Sequence, residues 1–234
     1  MDSRRSCAGR NPGGAPWPRW LIAAAGLAPI AALCGALVGV APLRISAVFL
    51  VLPLALAGVA TGAKFPAWGR VALAGLAAGA AATALYDLLR FALIVAGVFA
   101  DFIPEIGVLL GATDAAPLWG YVWRYLGNGG GMGIAFAMLP WRGAGPGVVY
   151  GTVICGCLFA TVGLFPDAAD KLFDLTPLTV SGALAGHWIY GASLGLLMRR
   201  RPPPSSRRDM AISWRDRNTT CARRISGGSA QGTE

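Results

Sequence analysis

The chain has 234 residues, of which 55% are hydrophobic and only 13% charged, and its mean hydropathy is +0.57; soluble domains carry about 25% charged residues, so an ordinary cytosolic globule is excluded. The net charge of +9, from 20 Lys plus Arg against 11 Asp plus Glu, would point to nucleic acid in a soluble protein. Here the basic residues sit between and beyond long apolar runs, so no nucleic-acid partner is expected. Five scattered cysteines and His187 as the sole histidine cannot assemble a zinc cluster, and neither a metal nor a cofactor is expected.

Residues 1–19 form a basic segment rich in Pro and Gly. A membrane-crossing helix needs about 20 apolar residues, and six stretches qualify: 20–40, 45–63, 71–98, 117–139, 146–164 and 178–198. The first two hold no charge and are joined by Ala41-Pro42-Leu43-Arg44, which predicts an antiparallel hairpin. An export signal built on Arg4-Arg5 is the alternative for the first stretch, but the run is of span length and a second span follows at once. The third stretch would be about 42 Å long as a helix and contains Asp87 and Arg90. The fourth contains Arg124 and the run Gly127-Asn128-Gly129-Gly130-Gly131-Met132-Gly133. Residues 199–234 carry nine Arg, three acids and Pro202-Pro203-Pro204, a composition that cannot bury a core and predicts a disordered cytoplasmic tail.

Lys and Arg accumulate on the cytoplasmic side of a membrane protein. With the amino terminus inside, sixteen basic residues fall in inner segments and two, Arg44 and Lys171, in outer ones, while Asp101, Glu105, Asp114, Asp167, Asp170 and Asp174 lie outside. The expectation is an all-α polytopic transmembrane bundle of six spans with both termini inside, in a bacterial cytoplasmic (inner) membrane. Its partners are the lipid bilayer, anionic headgroups bound by the basic tail at about 1 kcal/mol per residue, and a second copy or another membrane protein.

Glycines spaced by four, at Gly35 and Gly39, Gly58 and Gly62, Gly75 and Gly79, Gly147 and Gly151, Gly182 and Gly186, and Gly191 and Gly195, predict stripes along which helix backbones approach closely. Cys155 and Cys157 are read as small packing residues. The fragment Val148-Val149-Tyr150-Gly151 returns in kind as Trp188-Ile189-Tyr190-Gly191, as an internal repeat would, and transporters are often built from repeats.

Charge at the centre of a spanning helix costs about 2.5 to 3.5 kcal/mol on insertion scales, so polar residues at depth are where function is sought. Asp87, Arg90, Arg124, Asn128 and His187 lie at depths of roughly 10 to 16 Å from the outer end of their spans. Helical spacing puts Thr83, Asp87, Arg90 and Ile94 on one face, Tyr121, Arg124, Tyr125 and Asn128 on another, and Thr179, Ala183, His187 and Tyr190 on a third. The arginines either snorkel to the headgroups or turn inward. Asp87 is too short to snorkel and must be paired or protonated, with Arg90 or Arg124 the expected partner. His187 is either a proton-relay member or a hydrogen-bonded packing residue. The glycine run has neither the preceding strand nor the terminal Lys-Ser/Thr of a phosphate loop; it marks either a broken helix, as at transporter solute sites, or close packing.

The motifs Tyr86-Asp87-Leu88-Leu89-Arg90, Asn128-Gly129 and Gly186-His187-Trp188-Ile189-Tyr190-Gly191-Ala192-Ser193-Leu194-Gly195 resemble those of an uncharacterised group of bacterial multi-span membrane proteins, over residues 80–198. The resemblance implies a multi-span membrane fold and no particular activity, and it transfers no catalytic residue.

Three functional classes follow. The leading one is a bundle that binds or translocates a small polar or anionic solute at Asp87, Arg90, Arg124, Asn128 and His187. The second is a non-transporting scaffold or accessory subunit whose ion pair fixes helix register. The third is an intramembrane lipid-acting enzyme using Asp87 and His187 as acid and base; no nucleophile or metal-ligand pair accompanies them, so no catalytic residue is assigned.

Overall fold

The computed structural model describes residues 17–113 and 116–200. The basic segment up to residue 16 and the tail beyond residue 200, with its expected disorder and headgroup binding, lie outside the described residues, as do Cys7, Cys221 and Asp114.

Among the described residues the fold is all helical. The elements are α1 (Trp17–Leu37), α2 (Leu43–Lys64), α3 (Pro66–Val95), the short α4 (Ile103–Leu109), α5 (116–138), α6 (Ala144–Leu164), the short α7 (Pro166–Leu172) and α8 (Pro177–Leu197). Four of these, α1, α2, α3 and α6, are long and apolar enough to cross a membrane, as an integral membrane protein requires. Helix α8 is as long as α1 and carries His187, Trp188, Tyr190 and several hydroxyl residues. Helix α5 is continuous across the glycine run. It passes from α-helix (Ala116–Val122) through a wide, i→i+5 bonded stretch (Trp123–Gly130) and back to α-helix (Gly131–Met138). Glycines impose no side-chain restraint on the backbone, and π-helical turns of this kind often sit at functional sites.

Helix ends account for the differences from the predicted boundaries. Both α1 and α3 stop three residues earlier than their hydropathy does, because Gly39 at φ +76° and Gly97 at φ +73° close them. In α3 the Val98 amide reaches back to the Leu93 carbonyl and the Gly97 amide to that of Ile94, each at 2.9 Å, which satisfies carbonyls that a helix end leaves free. At its start α3 extends back to Pro66, since proline fits the first helical turn; only Phe65 separates it from α2. Helix α8 begins with a capping box in which Thr176 and Thr179 exchange side-chain-to-backbone bonds of 3.2 and 2.9 Å. The two short helices, α4 and α7, lie in the stretches that hydropathy leaves as outer connections.

Two cores hold the bundle. One joins Ile22 and Ala23 of α1, Ala78 and Ala82 of α3, Phe136 to Met138 of α5, and Tyr190 and Leu194 of α8. The other joins Ala32, Leu33 and Leu37 of α1 and Leu43 of α2 to Ile103 and Ile106 of α4 and Ala168 of α7, so the short helices cover the end of the bundle where Gly39 and Gly97 lie. Outward faces remain apolar, with Phe49, Leu56, Val59 and Leu73 among the most exposed side chains, a surface compatible with lipid.

Glycine supplies the closest approaches. Gly75 and Gly79 of α3 lie against Gly129 and Gly133 of α5, Gly26 of α1 against Gly131, and Gly147 and Gly151 of α6 against Gly191 and the His187 carbonyl of α8. The glycine run is therefore where α5 wedges between α1 and α3. Of the predicted stripes, Gly35 and Gly39 meet nothing; Gly39 serves the turn instead.

Candidate functional site

The buried face of α3 follows the helical repeat through Gly75, Ala78, Gly79, Ala82, Thr83, Asp87 and Arg90. Glycine and alanine at its start let α5 approach closely. Beyond them Thr83 settles its own hydroxyl on the Gly79 carbonyl at 2.9 Å, with its side chain against the Gly129 backbone. The next turn presents Asp87, whose side chain is only 2% exposed.

Arg124, from the wide stretch of α5, neutralises that carboxylate. Its Nε donates to Oδ1 at 2.9 Å and to Oδ2 at 3.0 Å, and its Nη2 also donates to Oδ1. Charged, multiply bonded pairs of this type are the strong ones. The guanidinium lies 4.9 Å over the Tyr86 ring, a cation–π contact that matters more away from water.

Arg90 behaves differently. Its Nη1 stands 3.9 Å from Asp87 Oδ1 and makes no hydrogen bond, while its Nη2 donates to Asp101 Oδ1 in the link between α3 and α4. The same Asp101 oxygen accepts from the Ile103 amide at 3.1 Å, at the start of α4. Of the two arrangements open from sequence, Arg124 takes the inward pairing and Arg90 the outward reach, toward a loop carboxylate instead of a headgroup.

His187 joins the cluster through an aromatic neighbour. Its Nδ1 lies 2.7 Å from the Ala183 carbonyl one turn earlier, and its ring stands edge-on to Tyr86 with centroids 5.4 Å apart. Asn128 is buried beside the glycines of α5, and its Oδ1 has no hydrogen-bond partner. The structure thus brings Asp87, Arg90 and Arg124 into contact, sets His187 one ring away, and leaves Asn128 in the same wide stretch as Arg124 with its acceptor unused.

The contacts of three further groups are not legible in the sequence. Asp101 counts in the sequence as an outer-loop charge; it reaches Arg90, eleven residues earlier, not along a helix face but because α3 ends at Val95 and the chain turns at Gly97. Tyr190 donates to the Gly129 carbonyl at 2.8 Å and Tyr150 to the Met132 carbonyl at 2.9 Å. The recurrence of Tyr-Gly at 150–151 and 190–191 is the sequence signal for these two, since both phenols are aimed at α5.

Chemically, the cluster offers two carboxylates and two guanidiniums whose charges cancel, one buried unbonded N–H on Arg90 and one buried unbonded acceptor on Asn128. Among the described residues no group of three or more His, Cys, Asp or Glu is placed to hold a metal ion. No protein family, curated protein or solved structure matches the chain.

Proposed function

We propose that the chain is a six-span bundle with both termini on the cytoplasmic side, and that it binds or translocates a small polar or anionic solute at Asp87, Arg90, Arg124 and Asn128, with His187 lining the site through Tyr86. Six spans are supported by the length of α5 and α8 beside the four strongly apolar helices, and the cytoplasmic placement of both termini by the excess of Lys and Arg in the terminal segments. The solute reading rests on one observation: Arg90 Nη1 and Asn128 Oδ1 are buried without a hydrogen-bond partner. Each such group costs about 1 to 3 kcal/mol when left unmet, and a solute that supplies an acceptor to the first and a donor to the second offsets that cost. The wide stretch of α5 fits this role, since departures from regular helix at membrane depth accompany solute sites.

The test is thermal unfolding of the detergent-purified full chain, wild type beside Asn128→Ala and Arg124→Gln, against ions, small carboxylates, amino acids and polyols. A solute at 100 times its Kd adds about 2.7 kcal/mol to the wild type and less to either variant. A panel with no effect on the wild type, or an equal effect on all three proteins, would overturn the reading.

A scaffold role has an observation of its own, namely that Asp87 is fully engaged by Arg124 across two helices and the four charges cancel. A defined membrane protein that copurifies and depends on this pair would favour it.

A further inference from the structure

Resting on the reading of the Asp87 cluster as a solute site, we infer that Arg90 is the group that grips the solute, that the solute carries a carboxylate or a similar single negative charge, and that Asp101 is a tethered competitor occupying its place. Charge balance comes first. Asp87 and Asp101 cancel Arg90 and Arg124, so an anion entering the cluster leaves unpaired negative charge in a poorly solvated site unless one carboxylate withdraws. Asp87 is not the one to leave, because it is enclosed and Arg124 holds both of its oxygens.

Asp101 is free to leave. Its side chain is 36% exposed against 9% for Arg90, it sits in the non-helical link before α4, and its remaining bond is a single one, to the Ile103 amide at the first turn of a short helix. Exchange of Asp101 for a solute carboxylate conserves charge.

Exchange also improves the geometry. Tethered by its backbone, Asp101 meets the guanidinium through Oδ1 at Nη2 alone, and Nη1 is left without a hydrogen bond. An untethered carboxylate presents two oxygens to the two N–H groups of the fork, the arrangement that guanidinium and carboxylate prefer. The site in its present form is therefore the closed, self-occupied state, with the end of α3 pinned to the start of α4 by the bond that the solute replaces.

Chemical rescue tests this on the full chain in detergent, with acetate as the probe and chloride at equal ionic strength as the control. Removal of the tethered carboxylate in Asp101→Ala is expected to lower the unfolding midpoint. Acetate then restores it along a saturating curve, chloride does not, and the acetate affinity of Asp101→Ala exceeds that of wild type by about tenfold or more, as expected when a competitor for the site is removed. Asp101→Asn, which keeps an acceptor for the Ile103 amide, serves if Asp101→Ala fails to fold, and is expected to show the same preference for acetate. Addition of Arg90→Gln to either variant abolishes the response.

The inference is overturned if acetate and chloride act alike on the Asp101 variants, or if the acetate response survives Arg90→Gln. It is overturned alone, with the polar site intact, if the variants ignore acetate while an uncharged solute stabilises wild type and not Asn128→Ala.

Discussion

Tyr190 on α8 and Gly129 on α5, sixty-one residues apart in the chain, are joined by a 2.8 Å hydrogen bond from the phenol to the backbone carbonyl. Tyr190 is 3% exposed, so the bond forms where water cannot substitute for it. Tyr150 on α6 repeats the arrangement one turn further along α5, at the Met132 carbonyl. Two helices thus each send one tyrosine to the region where α5 leaves its wide stretch and resumes regular α-helix. A backbone at membrane depth must have its polar groups met by protein, and these phenols contribute to that.

Tyr190→Phe removes the donor and keeps the ring. The expected loss is about 1 kcal/mol, the scale of hydrogen bonds between membrane helices, and Tyr150→Phe, at a less enclosed position, should lose less. Unfolding midpoints of the two variants in the same detergent check the order. Equal stability of Tyr190→Phe and wild type would mean that the Gly129 carbonyl does not depend on this bond.

The Asp87–Arg124 pair predicts strong non-additivity. Loss of one partner strands the other charge away from water, which costs about 3 to 5 kcal/mol for buried pairs. Arg124→Gln strands a carboxylate whose nearest remaining cation, Arg90, is 3.9 Å away without a hydrogen bond. Asp87→Asn strands a guanidinium. The double variant Asp87→Asn/Arg124→Gln strands neither and should recover most of the loss in a double-mutant cycle. Additive losses in that cycle would show that the two side chains do not act on each other.

Much of this was legible in the sequence because helical spacing is a strong signal. The stripe Thr83, Asp87, Arg90 is the buried face of α3, and a carboxylate at that depth is either paired or protonated. Which arginine it found was not legible, because the choice between Arg90 and Arg124 depends on the rotation of α5. That rotation is altered by the wide stretch at Trp123–Gly130, which no repeat of 3.6 residues describes. Asp101 was hidden for a different reason: its approach to Arg90 is made by the turn at Gly97, and turns carry charge across space without periodicity. Short helices α4 and α7 lacked the length for a periodic signal and announce themselves only through Ile103, Ile106 and Ala168, which pack against α1 and α2.

Six spans with both ends inside predict opposite labelling of two connections. Trp141 and Lys171 are both exposed and flank α6. In a variant lacking the native cysteines, Lys171→Cys should react with a membrane-impermeant maleimide added to intact cells, and Trp141→Cys should react only after the cells are opened. If α5 does not cross, so that only α1, α2, α3 and α6 span, the two results exchange. The experiment therefore separates four spans from six directly.

Where glycine is required depends on what a methyl group would meet. A Cβ on Gly79 would collide with the Gly129 carbonyl oxygen, with the Gly133 Cα at 2.9 Å and the Gly129 carbonyl carbon at 3.0 Å. All three are backbone atoms, so no side chain can turn aside and α3 must separate from α5. Separation would also stretch the Asp87–Arg124 contact one helical turn or two away. On Gly156 of α6 the same methyl meets nothing within 4 Å. Gly79→Ala should therefore cost about 1 to 3 kcal/mol, the range for overpacking a tight interface. Gly156→Ala should be neutral or stabilising by up to about 1 kcal/mol, since alanine is the better helix former. Comparison of the two unfolding midpoints removes the propensity term common to both. If Gly79→Ala matched Gly156→Ala, the glycine seam between α3 and α5 would not be a close contact, and the placement of Arg124 on Asp87 would lose its structural support.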